Sequence, residues 1–242
     1  MTDISSYTPI AKRRAITEYK KYLESDLKVN DHIYCKVNES NIFNFQAMII
    51  GPKDTPYEGG YYFFDITLPT NYPFSCPSVK YYTQGERIRF HPNLYTNGKV
   101  CLSILGTWSG PSWTAIMNLS SLLISLQGLL DENPIQNEPG FENVLKSGSR
   151  ASPYNQLLEY QNINIAVIEM INNPPSLFKL FKTEMFEEFK INYNYFDNYI
   201  KENIHKNDTV IYTNIYGLTS KLEFNKLILK IKELKLNLKI DL

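Results

Sequence analysis

Between Ile33 and Tyr82 the chain reads as four strands joined by connections too brief for a crossover helix. Ile33, Cys35 and Val37 alternate with polar neighbours. Phe43 to Gly51, Tyr61 to Leu68 and Ser78 to Tyr82 supply three further runs, separated by turn-rich segments such as Gly51-Pro52-Lys53-Asp54-Thr55-Pro56-Tyr57-Glu58-Gly59-Gly60. A period of two puts alternate side chains on opposite faces of a strand. Parallel neighbours need a crossover of a dozen residues or more, so short connections predict an antiparallel meander.

Helices are expected before and after these strands in the chain. Pro9 to Leu27 reads as one, with proline in its first turn and Ile10, Ile16, Tyr19 and Leu23 along one side. Leu119 to Leu130 reads as another, with Leu119, Leu122, Leu123, Leu126, Leu129 and Leu130 at helical spacing. A short helix is expected from Glu138 to about Leu145. Lys146 to Pro153 is the best domain boundary, giving a core of 1–150 and an extension of 151–242. The extension reads as mainly helical, with one helix around Leu157–Ile171, a longer one through Phe178–Ile200 and a last one from Phe224 to Leu238. Val210 to Tyr216 stays open between strand and loop. The fold class expected is α+β.

Balanced charge narrows the function classes. Lysine plus arginine and aspartate plus glutamate number 25 each, so no whole-protein basic field for nucleic acid exists. Three cysteines, Cys35, Cys76 and Cys101, form no CxxC pair, which argues against a disulfide framework or structural zinc and for no metal at all. No apolar run reaches the ~18 residues of a membrane span, and residues 1–28 are too polar for a secretory signal. A cytoplasmic or nuclear setting is expected, with no membrane partner.

Chemistry concentrates in His91-Pro92-Asn93-Leu94-Tyr95-Thr96-Asn97-Gly98-Lys99-Val100-Cys101-Leu102-Ser103. Pro92, Asn93, Asn97 and Gly98 make it a turn-shaped loop. Such a loop can hold a side-chain amide, Asn93, near a thiol, Cys101. A nucleophilic sulfur and an oxyanion donor are the minimum for acyl transfer through a thioester. Cys101 is expected to be an exposed nucleophile on a rigid base, with Cys35 in the core. A cysteine hydrolase would need an imidazole beside the thiol. His91 is the one candidate, and Pro92 after it suits a structural ring. The Gly59-Gly60 pair lacks a following Gly-Lys-Ser/Thr and opens a strand, so it reads as turn glycines rather than a phosphate loop. The Lys12-Arg13-Arg14 run taken alone reads as a solvated face.

These residues together resemble the ubiquitin-conjugating enzymes over about residues 9–146. The resemblance rests on Gly51-Pro52 through Gly60, Leu68-Pro69 with Tyr72-Pro73-Phe74, His91-Pro92-Asn93, and Cys101-Leu102-Ser103-Ile104-Leu105. The long Gly106-Thr107-Trp108-Ser109-Gly110-Pro111-Ser112-Trp113 segment, with Asn137-Glu138-Pro139-Gly140-Phe141, looks like the large Z-type members, which also carry a helical C-terminal extension. The resemblance implies a glycyl thioester on Cys101. Asn93 would stabilise the oxyanion or order the loop, His91 would be structural, and Glu138 would position the incoming lysine. It implies ubiquitin or a ubiquitin-like modifier as cargo, passed on to a substrate lysine or a ligase. Lys12 and Arg13 would meet the activating enzyme, and Phe74, Thr114 and Ala115 a ligase. No cofactor is implied on this chain; ATP would be consumed by the activating enzyme. A silent binding module is the rival from another class, and the presence of Cys101, Asn93 and His91 weighs against it.

Overall fold

The computed structural model describes residues 4–83, 88–148 and 151–239. Part of the expected boundary, Ser149 and Arg150, therefore lies outside the described residues. Four strands, β1 (Ile33–Asn38), β2 (Asn41–Ile50), β3 (Tyr61–Thr67) and β4 (Ser78–Tyr81), form an antiparallel sheet in chain order. The register sets Ile33 opposite Ile49, Ile49 opposite Tyr62, and Phe64 opposite Tyr81. The meander is thus as the spacing predicts.

Helix α1 (Pro9–Leu23) starts where Thr8 caps it, accepting the Ala11 N–H on its side-chain oxygen. It stops four residues earlier than the hydrophobic pattern suggests, and a separate turn, Leu27–Asn30, follows. Its buried face also differs from the expected one. Ile10 and Leu23 are 51% and 61% exposed, whereas Ala11, Ala15, Glu18 and Tyr22 are buried. Two alanines let the helix sit close to its neighbours, and the buried carboxylate compensates by collecting donors. Glu18 accepts from Tyr72 Oη at 2.6 Å, from the Leu119 N–H at 2.8 Å, and from Arg14 Nε. Helix α2 (Leu119–Gln127) is fixed at its start by a capping box between Asn118 and Ser121. All six leucines of the 119–130 stripe are buried.

The expected helix after Glu138 does not form. A 3-10 turn covers Pro134–Asn137 instead, and Pro139 followed by Gly140, at φ 86°, turns the chain away.

The extension covers the sheet. Helix α3 (Ala151–Gln161) runs into a wider π-helical stretch, Asn162–Glu169, and a last turn, Met170–Asn172. A 3-10 segment, Ser176–Phe181, leads into α4 (Lys182–Asn203). Phe178 stacks on Phe63 of β3 at 4.7 Å between ring centroids, and Tyr61 Oη donates to Met185 O at 3.0 Å. Tyr34 Oη donates to the buried Glu188 carboxylate at 2.5 Å, which also meets His32 Nδ1 at 2.6 Å. Asn162 receives Tyr62 Oη at 2.7 Å and donates to Glu58 O at 2.8 Å. A Cβ on Gly60 would stand 1.9 Å from Asn162 Oδ1, so Gly60 serves a close approach and Gly59, at φ 71°, the turn. The open 210–216 segment resolves into a hairpin, β5 (Val210–Thr213) and β6 (Leu218–Lys221), before α5 (Phe224–Asn237). One continuous apolar core runs through the sheet, α2 and the extension. No helix among the described residues is long and apolar enough to cross a membrane.

Candidate active site

Cys101 lies at the end of the turn-rich loop, and its backbone is bonded from two directions. Its N–H donates to Asn93 O at 2.9 Å. Its carbonyl accepts from Asn93 Nδ2 at 2.8 Å. On the other side, the Thr107 hydroxyl accepts the Leu102 N–H at 2.9 Å and donates towards Val100 O at 2.8 Å. Each of the two peptide groups flanking Cys101 is therefore held once by Asn93 and once by Thr107. Turn chemistry brings Asn93 there, and short antiparallel bridges from Leu94 to His91 and to Val100 close the loop. Thr107 arrives because Gly106 adopts a left-handed conformation, φ 67°, just after the Ser103–Leu105 turn.

The cysteine is more enclosed than the sequence suggests. It is only 2% exposed, because its peptide groups are tied down on both sides within a folded-back loop. Cys35 is fully enclosed in β1, and burial pushes its thiol well above the ordinary range. Cys76 is half-buried, with its Sγ 3.5 Å from Leu105 O. Among the three cysteines, only Cys101 has its backbone clasped in this way.

His91 is enclosed within the loop. It is fully buried, and its Nδ1 accepts the Asn93 N–H at 2.9 Å. Burial, then the nearby Arg89 charge, push its pKa down to about 3. A neutral ring whose acceptor nitrogen is already engaged cannot take a proton from Cys101. The other two imidazoles have partners elsewhere, His32 on Glu188 and His205 on Glu202 O.

Around the loop, Arg89 makes contacts that the motif reading missed. Its guanidinium lies 3.9 Å from the Tyr95 ring centroid and 4.2 Å from that of Tyr216, and its Nη2 donates to Pro92 O. Glu138 accepts from Tyr216 Oη. Asn137 turns inwards instead, donating to Asp131 Oδ2 at 2.8 Å and to Pro134 O at 3.3 Å. Arg89 and Tyr216 carried no turn or motif signal. Thr107 lay inside the segment whose unusual length was the one available hint.

The expected partner residues lie on segments that are bonded to one another. Phe74 is exposed. Trp113 Nε1 donates to Pro73 O at 2.7 Å, which sets Trp113 beside the residue that precedes Phe74. Arg14 donates to Ala115 O at 2.9 Å and Met117 O at 2.8 Å, which ties α1 to the same place. Arg14 is therefore a structural brace, while Arg13 is exposed and Lys12 half-buried on the same helix. Thr114 is exposed. Among the described residues, no group of three or more metal-ligating side chains occurs.

A family model described as "Ubiquitin-conjugating enzyme" matches residues 14–152. The chain is 44% identical over 160 residues to ubiquitin-conjugating enzyme E2 Z of Xenopus tropicalis, covering 66% of this chain and 51% of that protein. The Homo sapiens E2 Z is 42% identical over 160 residues, covering 66% and 45%. An Arabidopsis thaliana relative, probable ubiquitin-conjugating enzyme E2 24, is 35% identical over 198 residues, covering 76% and 21%. The chain thus spans about half the length of the E2 Z relatives it matches. A Toxoplasma gondii ubiquitin conjugating enzyme E2 domain superposes with a TM-score of 0.50 at 24% identity, covering 64% of this chain and 98% of that one, and supports the fold. With a family match across more than half its length, seated on this strand order and ending beyond the clasped cysteine, the chain belongs to the ubiquitin-conjugating enzyme family.

Proposed function

We propose that the chain accepts ubiquitin, or a ubiquitin-like modifier, as a thioester on Cys101 and passes it to a substrate lysine or to a ligase. The Cys101 sulfur attacks the carbonyl carbon of the modifier's thioester on an activating enzyme. Cys101 gives up its thiol proton as the new C–S bond forms, the old C–S bond breaks, and the leaving thiolate takes up a proton in its place. A lysine amine then attacks the same carbon, loses its proton and forms an isopeptide bond, and the Cys101 thiol is released. ATP is consumed upstream, by the activating enzyme. No cofactor is needed on this chain.

The double clasp of the Cys101 backbone carries this reading. It fixes the nucleophile without supplying a base, since the nearest imidazole in the loop is buried and engaged. A hydrolase would need that base. A transferase of this kind needs none at the charging step, because both partners in the exchange are thiols. The small exposed surface of Cys101 favours a slim carboxyl-terminal tail over the middle of a bulky peptide. In this state Asn93 spends its amide on Cys101 O, which supports the loop-ordering role assigned to it. Its Oδ1 is buried without a partner. Glu138 would position the incoming lysine, whose proton becomes easier to lose as the cleft desolvates it. Lys12 and Arg13 would meet the activating enzyme, and Phe74, Thr114 and Ala115 a ligase. The setting would be the cytoplasm, the nucleus or both.

The test is a pulse–chase. Protein charged with modifier, activating enzyme and ATP is separated from ATP and mixed with free lysine. Loss of the adduct with appearance of lysyl-modifier supports transfer. Peptide cleavage in the absence of ATP would replace transfer by hydrolysis.

A further inference from the structure

We propose that Tyr216, contributed by the extension, is a positioning residue for transfer at Cys101 and acts through Arg89. This rests on the reading of Cys101 as the carrier thiol.

Tyr216 sits at the tip of the β5–β6 hairpin with φ 56° and ψ 13°, a left-handed conformation that bulky residues avoid. Its side chain is held on three sides. The hydroxyl donates to Glu138 Oε2. The ring lies against the Arg89 guanidinium at 4.2 Å and edge-on to Tyr154 at 6.1 Å. Burial, then the bond to Glu138, hold the phenol far above its ordinary pKa, so it remains a donor. Tyr154 in turn donates to Arg89 O at 2.8 Å, fixing the arginine backbone as well.

Arg89 passes this constraint to the loop at two points. The same guanidinium lies 3.9 Å from the Tyr95 ring centroid, and its Nη2 donates to Pro92 O. These two contacts bracket Asn93, the residue whose amide and carbonyl clasp Cys101. An unbroken line of contacts thus runs from the hairpin tip through Tyr216, Arg89, Pro92 and Asn93 to the nucleophile. A second line runs from Tyr216 to Glu138, the carboxylate assigned to the incoming lysine. A planar guanidinium packed against two aromatic rings, at 3.9 and 4.2 Å from their centroids, is a contact that lysine does not reproduce. Displacements on the order of 1 Å in a reacting group can cost about a hundredfold in rate, so the Tyr216–Arg89–Tyr95 packing is a means by which the extension sets the transfer step.

The experiment uses the full chain, charged with ubiquitin by an activating enzyme and ATP, and follows discharge to free lysine. Tyr216→Ala is expected to slow discharge at least fivefold while charging changes less than twofold. Tyr216→Phe keeps the ring against Arg89 but frees Glu138; it should recover most of the loss and alter the pH profile of discharge. Arg89→Lys should match Tyr216→Ala, and the double variant should be no slower than either alone, because the two act as a unit. Unchanged discharge in folded Tyr216→Ala, or charging and discharge falling together in step with Tm, would overturn the proposal. If Tyr216→Ala does not fold, Arg89→Lys decides by the same two rates. Failure of the unmodified protein to charge would count against the carrier role of Cys101 and not against the coupling.

Discussion

Asn93 and Cys101 exchange two hydrogen bonds: the Cys101 N–H meets Asn93 O at 2.9 Å, and the Asn93 amide meets Cys101 O at 2.8 Å. Removing the side chain leaves a buried carbonyl without its donor, at about 1–3 kcal/mol. In a chain of this size that is roughly 2–4 °C of Tm per kcal/mol. Asn93→Ala should therefore melt several degrees lower by calorimetry and discharge its adduct more slowly. Asn93→Asp keeps the shape but turns an acceptor towards Cys101 O, and should do no better.

Thr107 completes the clasp from the other side. Thr107→Val has nearly the same shape and loses the hydroxyl's contacts with the Leu102 N–H, Val100 O and, at 3.2 Å, Leu102 O. Each such bond is worth about 0.5–1.5 kcal/mol net. Thr107→Val should speed amide exchange at Leu102 and lower the rate of adduct formation, and Thr107→Ser should restore both. Hydrogen-exchange mass spectrometry with a charging time course checks this.

His91 predicts an acid limb in stability. Native His91 titrates at about 3, whereas an unfolded histidine titrates at roughly 6.5. Between those values the unfolded chain binds a proton that the native chain refuses. Stability therefore rises with pH across that window and stops rising from this source above it. The effect is on the order of a few kcal/mol. His91→Asn can still accept the Asn93 N–H two residues on, as asparagine does in turns. It should be less stable near pH 7 but show a shallower dependence between pH 4 and 6, read from urea midpoints.

Phe178 anchors the extension. It is fully buried and stacked on Phe63. Phe178→Ala should cost about 3–5 kcal/mol, as large buried aromatics do on truncation. Because one apolar core joins sheet and extension, unfolding followed by near-ultraviolet dichroism and by tyrosine fluorescence should shift together. Separate transitions would show that the extension melts on its own.

Much of the core was legible because it follows simple periods. The strands fall within two residues of where alternation places them, and the leucine stripe of α2 is buried in full. The inner face of α1 was misread because hydrophobicity is a poor guide when a helix packs closely. Alanine spacing won over Ile10, Ile16 and Leu23, and Glu18 is buried for the donors around it. The helix after Glu138 failed against a proline and a left-handed glycine. At the site, Cys101, Asn93 and His91 are brought together by eleven residues of turn-shaped loop, and local chemistry sufficed to find them. Arg89 and Tyr216 meet across 127 positions of sequence, and Tyr216 belongs to a hairpin whose strands no alternation marked clearly. Contacts of that range follow from the docked extension and from nothing local.

If Cys101 is the acyl carrier, the three cysteines should respond differently when each is replaced in turn. Each variant is incubated with ubiquitin, an activating enzyme and ATP, then run on a non-reducing gel with and without thiol. Cys35→Ser and Cys76→Ser should keep a thiol-sensitive adduct, and Cys101→Ser should convert it to a thiol-resistant oxygen ester. A thiol-sensitive adduct persisting on Cys101→Ser, or no adduct on the unmodified chain with any activating enzyme and modifier, would rule out Cys101 as the carrier.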